Sequence, residues 1–117
     1  MAKIISIHSF RGGTGKSNLT ANIAALLTRA GHRVGVIDTD IQSPGIHVIF
    51  SLKLADIRFA LNDFLWGRCS IEKAAHDVTA SAVERFDESV DRPRLFLIPS
   101  SVNSGEIAKI LDRKSVV

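Results

Sequence analysis

The sequence is short of several features that mark particular classes of protein. Cys69 is its single cysteine, so an internal disulfide is excluded and a reducing compartment is favoured. No apolar run approaches the roughly 18 residues of a membrane-spanning helix. The first residues pass directly into a strand pattern, so we expect no secretory signal and a cytoplasmic location.

The chain also carries only a small excess of charge of one sign. The 15 basic residues exceed the 12 acidic ones by only three, and no five consecutive residues share a sign. Aromatic residues make up 6% of the chain and do not alternate with basic residues as they do in nucleic-acid stacking platforms. This small basic excess is compatible with DNA or an anionic membrane as a partner, and equally with a phosphate-binding enzyme.

What the sequence does contain is a glycine-rich loop, Arg11-Gly12-Gly13-Thr14-Gly15-Lys16-Ser17. It follows an apolar run and leads into a helical pattern. Glycines let backbone N–H groups converge on an anion, and the positive end of the helix dipole adds to the attraction. In such a loop Lys16 would reach the β- and γ-phosphates of a nucleotide, and the Ser17 hydroxyl would bind Mg²⁺.

Two carboxylates, Asp38 and Asp40, follow the second apolar run. They stand where a parallel strand would end, which is where ligands bind in open α/β sheets. While the backbone stays extended, residues two apart point to the same side. One carboxylate could hold a water of the Mg²⁺ shell, and the other could orient the attacking water.

The loop resembles the deviant Walker A motif of the ParA/MinD family of ATPases, Lys-Gly-Gly-x-Gly-Lys-Ser/Thr, with Arg11 at the place of the signature lysine. The Asp-x-Asp-x-Gln segment from residue 38 to residue 42 continues the resemblance, which extends with less specificity to residues 61–67 and 98–101. The resemblance implies ATP and Mg²⁺ as cofactors. The nucleotide-binding residues that it implies are Gly12, Gly13, Thr14, Gly15, Lys16, Ser17 and Asn18. The metal-binding residues would be Ser17 and Asp38. The catalytic residues would be Lys16, Asp40 and Arg11.

The function that this resemblance implies is an ATP-binding and ATP-hydrolysing switch. It would form a homodimer on ATP, position DNA or other cargo, and respond to an activating partner protein. We favour DNA over a membrane surface because the basic charge is dispersed and no amphipathic C-terminal tail is visible. The alternative is a nucleotide-binding module without turnover. Small-molecule kinases remain a further class, whereas iron–sulfur reductases require paired cysteines.

The expected fold is α/β: a P-loop NTPase-like, mostly parallel sheet flanked by helices. Because members of the resembled family are longer, residues 1–117 are predicted to be the N-terminal part of a single P-loop ATPase domain. From Lys16 onward, five apolar residues share one helical face: Leu19, Ile23, Leu26, Leu27 and Ala30. The pattern predicts strands at 3–9, 33–38 and 94–99, helices at 16–30, 61–66, 71–76 and 105–113, strand or helix at 47–52, and loop with some helix at 77–93.

Overall fold

The fold is built on a small three-stranded sheet with helices packed against it. The computed structural model describes residues 2–7, 15–40, 45–82 and 94–101. The strands are β1 (Val34–Ile37), β2 (His76–Asp77) and β3 (Leu95–Ile98). The helices are α1 (Lys16–Arg29), α2 (Ile46–Ile49), α3 (Leu61–Leu65) and α4 (Ile71–Ala74), with 3₁₀ turns at Leu54–Asp56 and Thr79–Ser81.

The central strand of the sheet is β3, in the order β1-β3-β2. It pairs in parallel with β1, from Val34 opposite Leu95 to Ile37 opposite Ile98, and antiparallel with β2. Three of its four residues are buried, as expected of a strand with neighbours on both sides. The carboxyl ends of β1 and β3 therefore meet at one edge of the sheet.

Helix α1 packs on the sheet through its small residues. Ala21, Ala24 and Thr28 are buried, and the two alanines share a core cluster with residues of β1, β3 and α2. The opposite face carries the larger side chains, of which Leu19 is 52% and Leu26 62% exposed. The helix was predicted correctly, but its leucine face does not form the main contact, because only short side chains let the helix approach the sheet closely.

The N-terminal segment differs from its prediction. Residues 2–7 form no strand, and Ile4 and Ile5 are largely exposed, so the buried strand predicted from Lys3 is wrong over these residues; residues 8 and 9 lie outside the described part. In the described residues the sheet order is β1-β3-β2, so the second edge of β3 is taken by the short strand β2. No pattern in the sequence indicated β2, and the sheet of the described residues is consequently mixed rather than mostly parallel.

Other elements agree with the patterns that predicted them. Strands β1 and β3 and helices α1 and α3 fall within the predicted ranges, and α2 begins one residue before the segment 47–52 predicted as strand or helix and overlaps it. Ser70 occupies the N-cap position of α4, but its side chain makes no capping hydrogen bond. The helix predicted at 105–113 lies outside the described residues. In the described ranges, no helix has both the length and the apolar content for a membrane span.

Candidate functional site

The first turn of α1 is suited to bind an anion. Gly15 precedes it at φ 84°, a left-handed conformation, and no side chain of the described residues caps the turn. No acidic residue lies in that turn, and the leading N–H groups of a helix have no partner within it. Lys16 and Ser17 are half-buried, whereas Asn18 is exposed. The backbone donors and the Lys16 ammonium therefore fit a phosphate group.

The other four residues predicted for the loop, Arg11, Gly12, Gly13 and Thr14, lie outside the described residues. The structure consequently places only the C-terminal end of the loop.

Asp38 follows β1 directly and is 2% exposed. Its Oδ1 accepts a hydrogen bond from the amide of Asp40 at 3.0 Å, and its Oδ2 accepts from the amides of Gly45 at 3.2 Å and Ile46 at 3.4 Å. The carboxylate thus holds both ends of the segment that connects residue 40 to α2. A carboxylate has about four acceptor positions, and the described residues fill three of them, which leaves room for a water of a metal shell.

Burial raises the pKa of Asp38 above its ordinary value. The three backbone N–H groups act in the opposite direction but do not outweigh the loss of solvation, and the nearby charge of Asp40 adds to the increase. A bound cation would favour the charged form, because it replaces solvation that burial removes.

Asp40 is half-buried and stands two residues beyond Asp38. The expectation that both carboxylates point to one side required an extended backbone as far as Asp40. Instead β1 ends at Ile37, and the Asp38 carboxylate turns onto the Asp40 amide, as in an Asx turn. The two residues are close in the chain but differ in environment.

A third residue supports this site from the end of β3. The hydroxyl of Ser100, itself fully buried, donates a hydrogen bond to the carbonyl oxygen of Asp38. One residue on, the amide of Ser101 donates to Oδ1 of the buried Asn62 at 2.7 Å. The sequence carried no chemical signal for this network, although both segments lie within stretches that resembled the ATPase family.

Comparison with known proteins identifies the fold to which these elements belong. The model of the ParA family, described as NUBPL iron-transfer P-loop NTPase, matches residues 1–89, well over half of the chain. The chain belongs to the ParA family of P-loop NTPases. Its likeness to the septum site-determining protein MinD from Pyrococcus horikoshii, solved in complex with Mg-ADP, has a TM-score of 0.73 at 27% identity and covers 93% of this chain and 39% of that one.

The sequence relatives include septum site-determining proteins and iron–sulfur cluster carriers. A septum site-determining protein MinD of Guillardia theta is 32% identical over 103 residues, which is 88% of this chain and 34% of that protein. An iron–sulfur cluster carrier protein of Aquifex aeolicus is 42% identical over 50 residues, 43% of this chain and 14% of the carrier. The ParA-family chain therefore spans only about a third of the MinD relative and less of the carrier.

Proposed function

We propose that this ParA-family chain carries the phosphate- and magnesium-binding part of an ATP-dependent switch. The observation that carries the proposal is the start of α1, where a left-handed glycine, an uncapped first turn and Lys16 come together. Supporting it, Asp38 and Asp40 follow the adjacent parallel strand β1. We further propose that residues 1–117 correspond to the N-terminal part of one P-loop domain.

In this proposal the phosphates lie against the amides of residues 12–18, and the Lys16 ammonium binds the β- and γ-phosphates. The Ser17 hydroxyl and, through water, the Asp38 carboxylate hold Mg²⁺. The ion would neutralise charge that develops on the phosphates. Asp40 orients the water for attack, since it stands beside Asp38 without that residue's deep burial.

We propose that Arg11 acts across a homodimer formed on ATP. An arginine there keeps the charge of the signature lysine and can donate two N–H groups to a phosphate oxygen pair. Hydrolysis would then separate the subunits and release DNA or other cargo, with an activating partner protein setting the rate. The modest positive charge of the chain is compatible with DNA as the cargo surface, and also with an anionic membrane.

The iron–sulfur cluster carriers among the relatives suggest a different function for this chain, the transfer of a cluster. Binding a cluster between subunits needs a pair of thiolates from each. These 117 residues contain one cysteine, Cys69, which packs half-buried against the cluster of Leu61, Ala74 and Ile98. We therefore propose the nucleotide switch, rather than cluster transfer, for this part of the protein.

The decisive measurement is isothermal titration of the full-length protein with Mg-ATP and Mg-GTP. Lys16→Ala should weaken ATP binding at least about tenfold, because a charge-assisted contact to phosphate is lost. Lys53→Ala removes an exposed lysine far along the chain and serves as the matched control. Equal ATP affinity in the parent and Lys16→Ala would refute the phosphate site.

The second candidate is nucleotide binding without turnover. One observation favours it: the Asp38 carboxylate already accepts hydrogen bonds from three backbone amides. Steady-state phosphate release separates the two candidates. Continuous turnover that Asp40→Asn abolishes supports the switch, while tight ATP binding with no phosphate release supports the binding module.

A further inference from the structure

A cavity of about 350 Å³ lies between the loop that follows α2 and the end of β3. One wall is apolar and is formed by Leu54, Ile57, Phe59 and Ala60. Leu54 at its rim is 57% exposed, so the cavity is open to solvent. Its volume lies within the range of small-molecule sites, which are mostly apolar clefts with a few polar groups.

The charge at this cavity is positive. Arg58 lines it with an exposed side chain, and among the described residues its guanidinium has no ion-pair or hydrogen-bond partner. The second charged residue of the lining, Asp63, is occupied: Oδ2 accepts from the Ala60 amide at 2.8 Å, and Oδ1 pairs with Arg68 at 3.3 Å. One cation consequently faces an apolar wall without local neutralisation.

The cavity is held in shape by bonds beneath it. The amide of Arg58 donates to Nε2 of His76 at 3.2 Å, and the amide of Leu61 donates to the carbonyl oxygen of Pro99 at 2.7 Å. Ser101, also in the lining, is fixed through its amide by Asn62, which is fully buried. Because these three amides are already satisfied, the Arg58 guanidinium and the apolar wall are the features of the described lining best suited to recognise a ligand.

We propose that this cavity is a binding site for a small organic anion with an apolar body, separate from the phosphate site at α1. The anionic group would bind the Arg58 guanidinium, which holds a carboxylate or sulfonate through two N–H groups. The apolar body would cover Leu54, Ile57 and Phe59. Since Ser100 lines the cavity and also bonds the Asp38 carbonyl, the two sites are adjacent but use different residues.

The test uses the full-length protein and a pair of fluorescent probes that differ in one group. One is 1-anilinonaphthalene-8-sulfonate, an apolar anion; the other is N-phenyl-1-naphthylamine, which lacks the sulfonate. We expect saturable 1:1 binding of the sulfonate and at least about fivefold weaker binding of the neutral probe, from one partly exposed charge contact. Equal affinity of the two probes would overturn the role of the cation.

Matched variants locate the site. Arg58→Gln should weaken the sulfonate probe about fivefold and Arg58→Lys should restore part of the loss, whereas Lys53→Gln removes a neighbouring charge outside the lining. Leu54→Ala should weaken both probes, while Leu65→Ala, similarly exposed at 52% but outside the lining, should not. If the control variants weaken binding as much as the cavity variants, the probe binds elsewhere and the proposal fails.

Saturating Mg-ATP should leave the sulfonate probe bound. Complete displacement by Mg-ATP would assign the cavity to the nucleotide and overturn its independence. The Lys16→Ala variant separates the two proposals, because loss of the phosphate site should not change probe affinity.

Discussion

The buried hydroxyl of Ser100 donates a hydrogen bond to the backbone carbonyl of Asp38, and this bond joins the carboxyl ends of β3 and β1. The amide of Asp38 donates in turn to the carbonyl of Ile98 at 3.0 Å. The residue proposed to contact the metal shell is therefore held through both its backbone groups by the neighbouring strand.

Ser100→Ala should lower the free energy of unfolding by about 1–3 kcal/mol, because it leaves the buried carbonyl of Asp38 with an unfilled acceptor position. Urea denaturation of the full-length protein measures the change. Ser70→Ala is the control, since the Ser70 side chain makes no capping bond, and it should change stability by less than about 0.5 kcal/mol. Similar losses in both variants would contradict a specific contribution from Ser100.

Helix α1 offers a test of which face packs. Ala24→Leu should destabilise the protein by about 1–3 kcal/mol, because the added atoms crowd the contact with the sheet. Leu26→Gln, on the exposed face, should cost less than about 0.5 kcal/mol. Thermal or urea unfolding compares the two, and a larger loss in Leu26→Gln would show that the leucine face is the packed one.

The free energy of unfolding should depend on pH through the carboxyl group of Asp77. Burial acts to raise the pKa of Asp77, but bonds from the hydroxyl and amide of Thr79 and from the Arg94 guanidinium lower it below its ordinary 3.8. A carboxyl with a lowered folded-state pKa stabilises the fold above its unfolded value and loses that contribution as pH falls through the folded value. Asp77→Asn should therefore be less stable than the parent at neutral pH.

The difference between Asp77→Asn and the parent should shrink below pH 3.8, as the parent carboxylate takes up its proton. Urea unfolding at a series of pH values follows it. A stability difference that stays constant down to strongly acid pH would mean that the charged form of Asp77, with its bonds from Thr79 and Arg94, contributes nothing to stability.

Arg11 is the residue whose proposed role reaches beyond one subunit. Arg11→Ala should abolish ATP-dependent dimerisation and lower turnover about 10³-fold or more, by analogy with arginine fingers, while Arg11→Lys should retain both in part. Light scattering with and without ATP, together with phosphate release, measures the two effects. Wild-type dimerisation and turnover in Arg11→Ala would remove this role.

Sequence reasoning succeeded where the signal is local. The period of apolar residues predicted α1, and short apolar runs predicted β1 and β3, because each pattern reflects the geometry of one element. The family resemblance, carried by the glycine-rich loop and confirmed by comparison, is also a local pattern.

The failures concern relationships between distant segments. The strand expected from Lys3 is not formed over residues 2–7, and β3 pairs instead with β2, two residues with no strand signature. The packed face of α1 depends on how closely the helix approaches the sheet, which apolar periodicity does not report. The support of Asp38 by Ser100 links residues 62 apart, and no spacing rule anticipates it.

The left-handed Gly15 carries a consequence for which replacements the loop can accept. A Cβ built on that residue meets no other atom of the described residues within 4 Å, so crowding by them does not exclude a side chain. The obstacle is handedness, which costs an L-amino acid roughly 1–2 kcal/mol at such a backbone angle. Asparagine, which tolerates this conformation better than alanine, would consequently be the mildest substitute, even though it is the bulkier of the two.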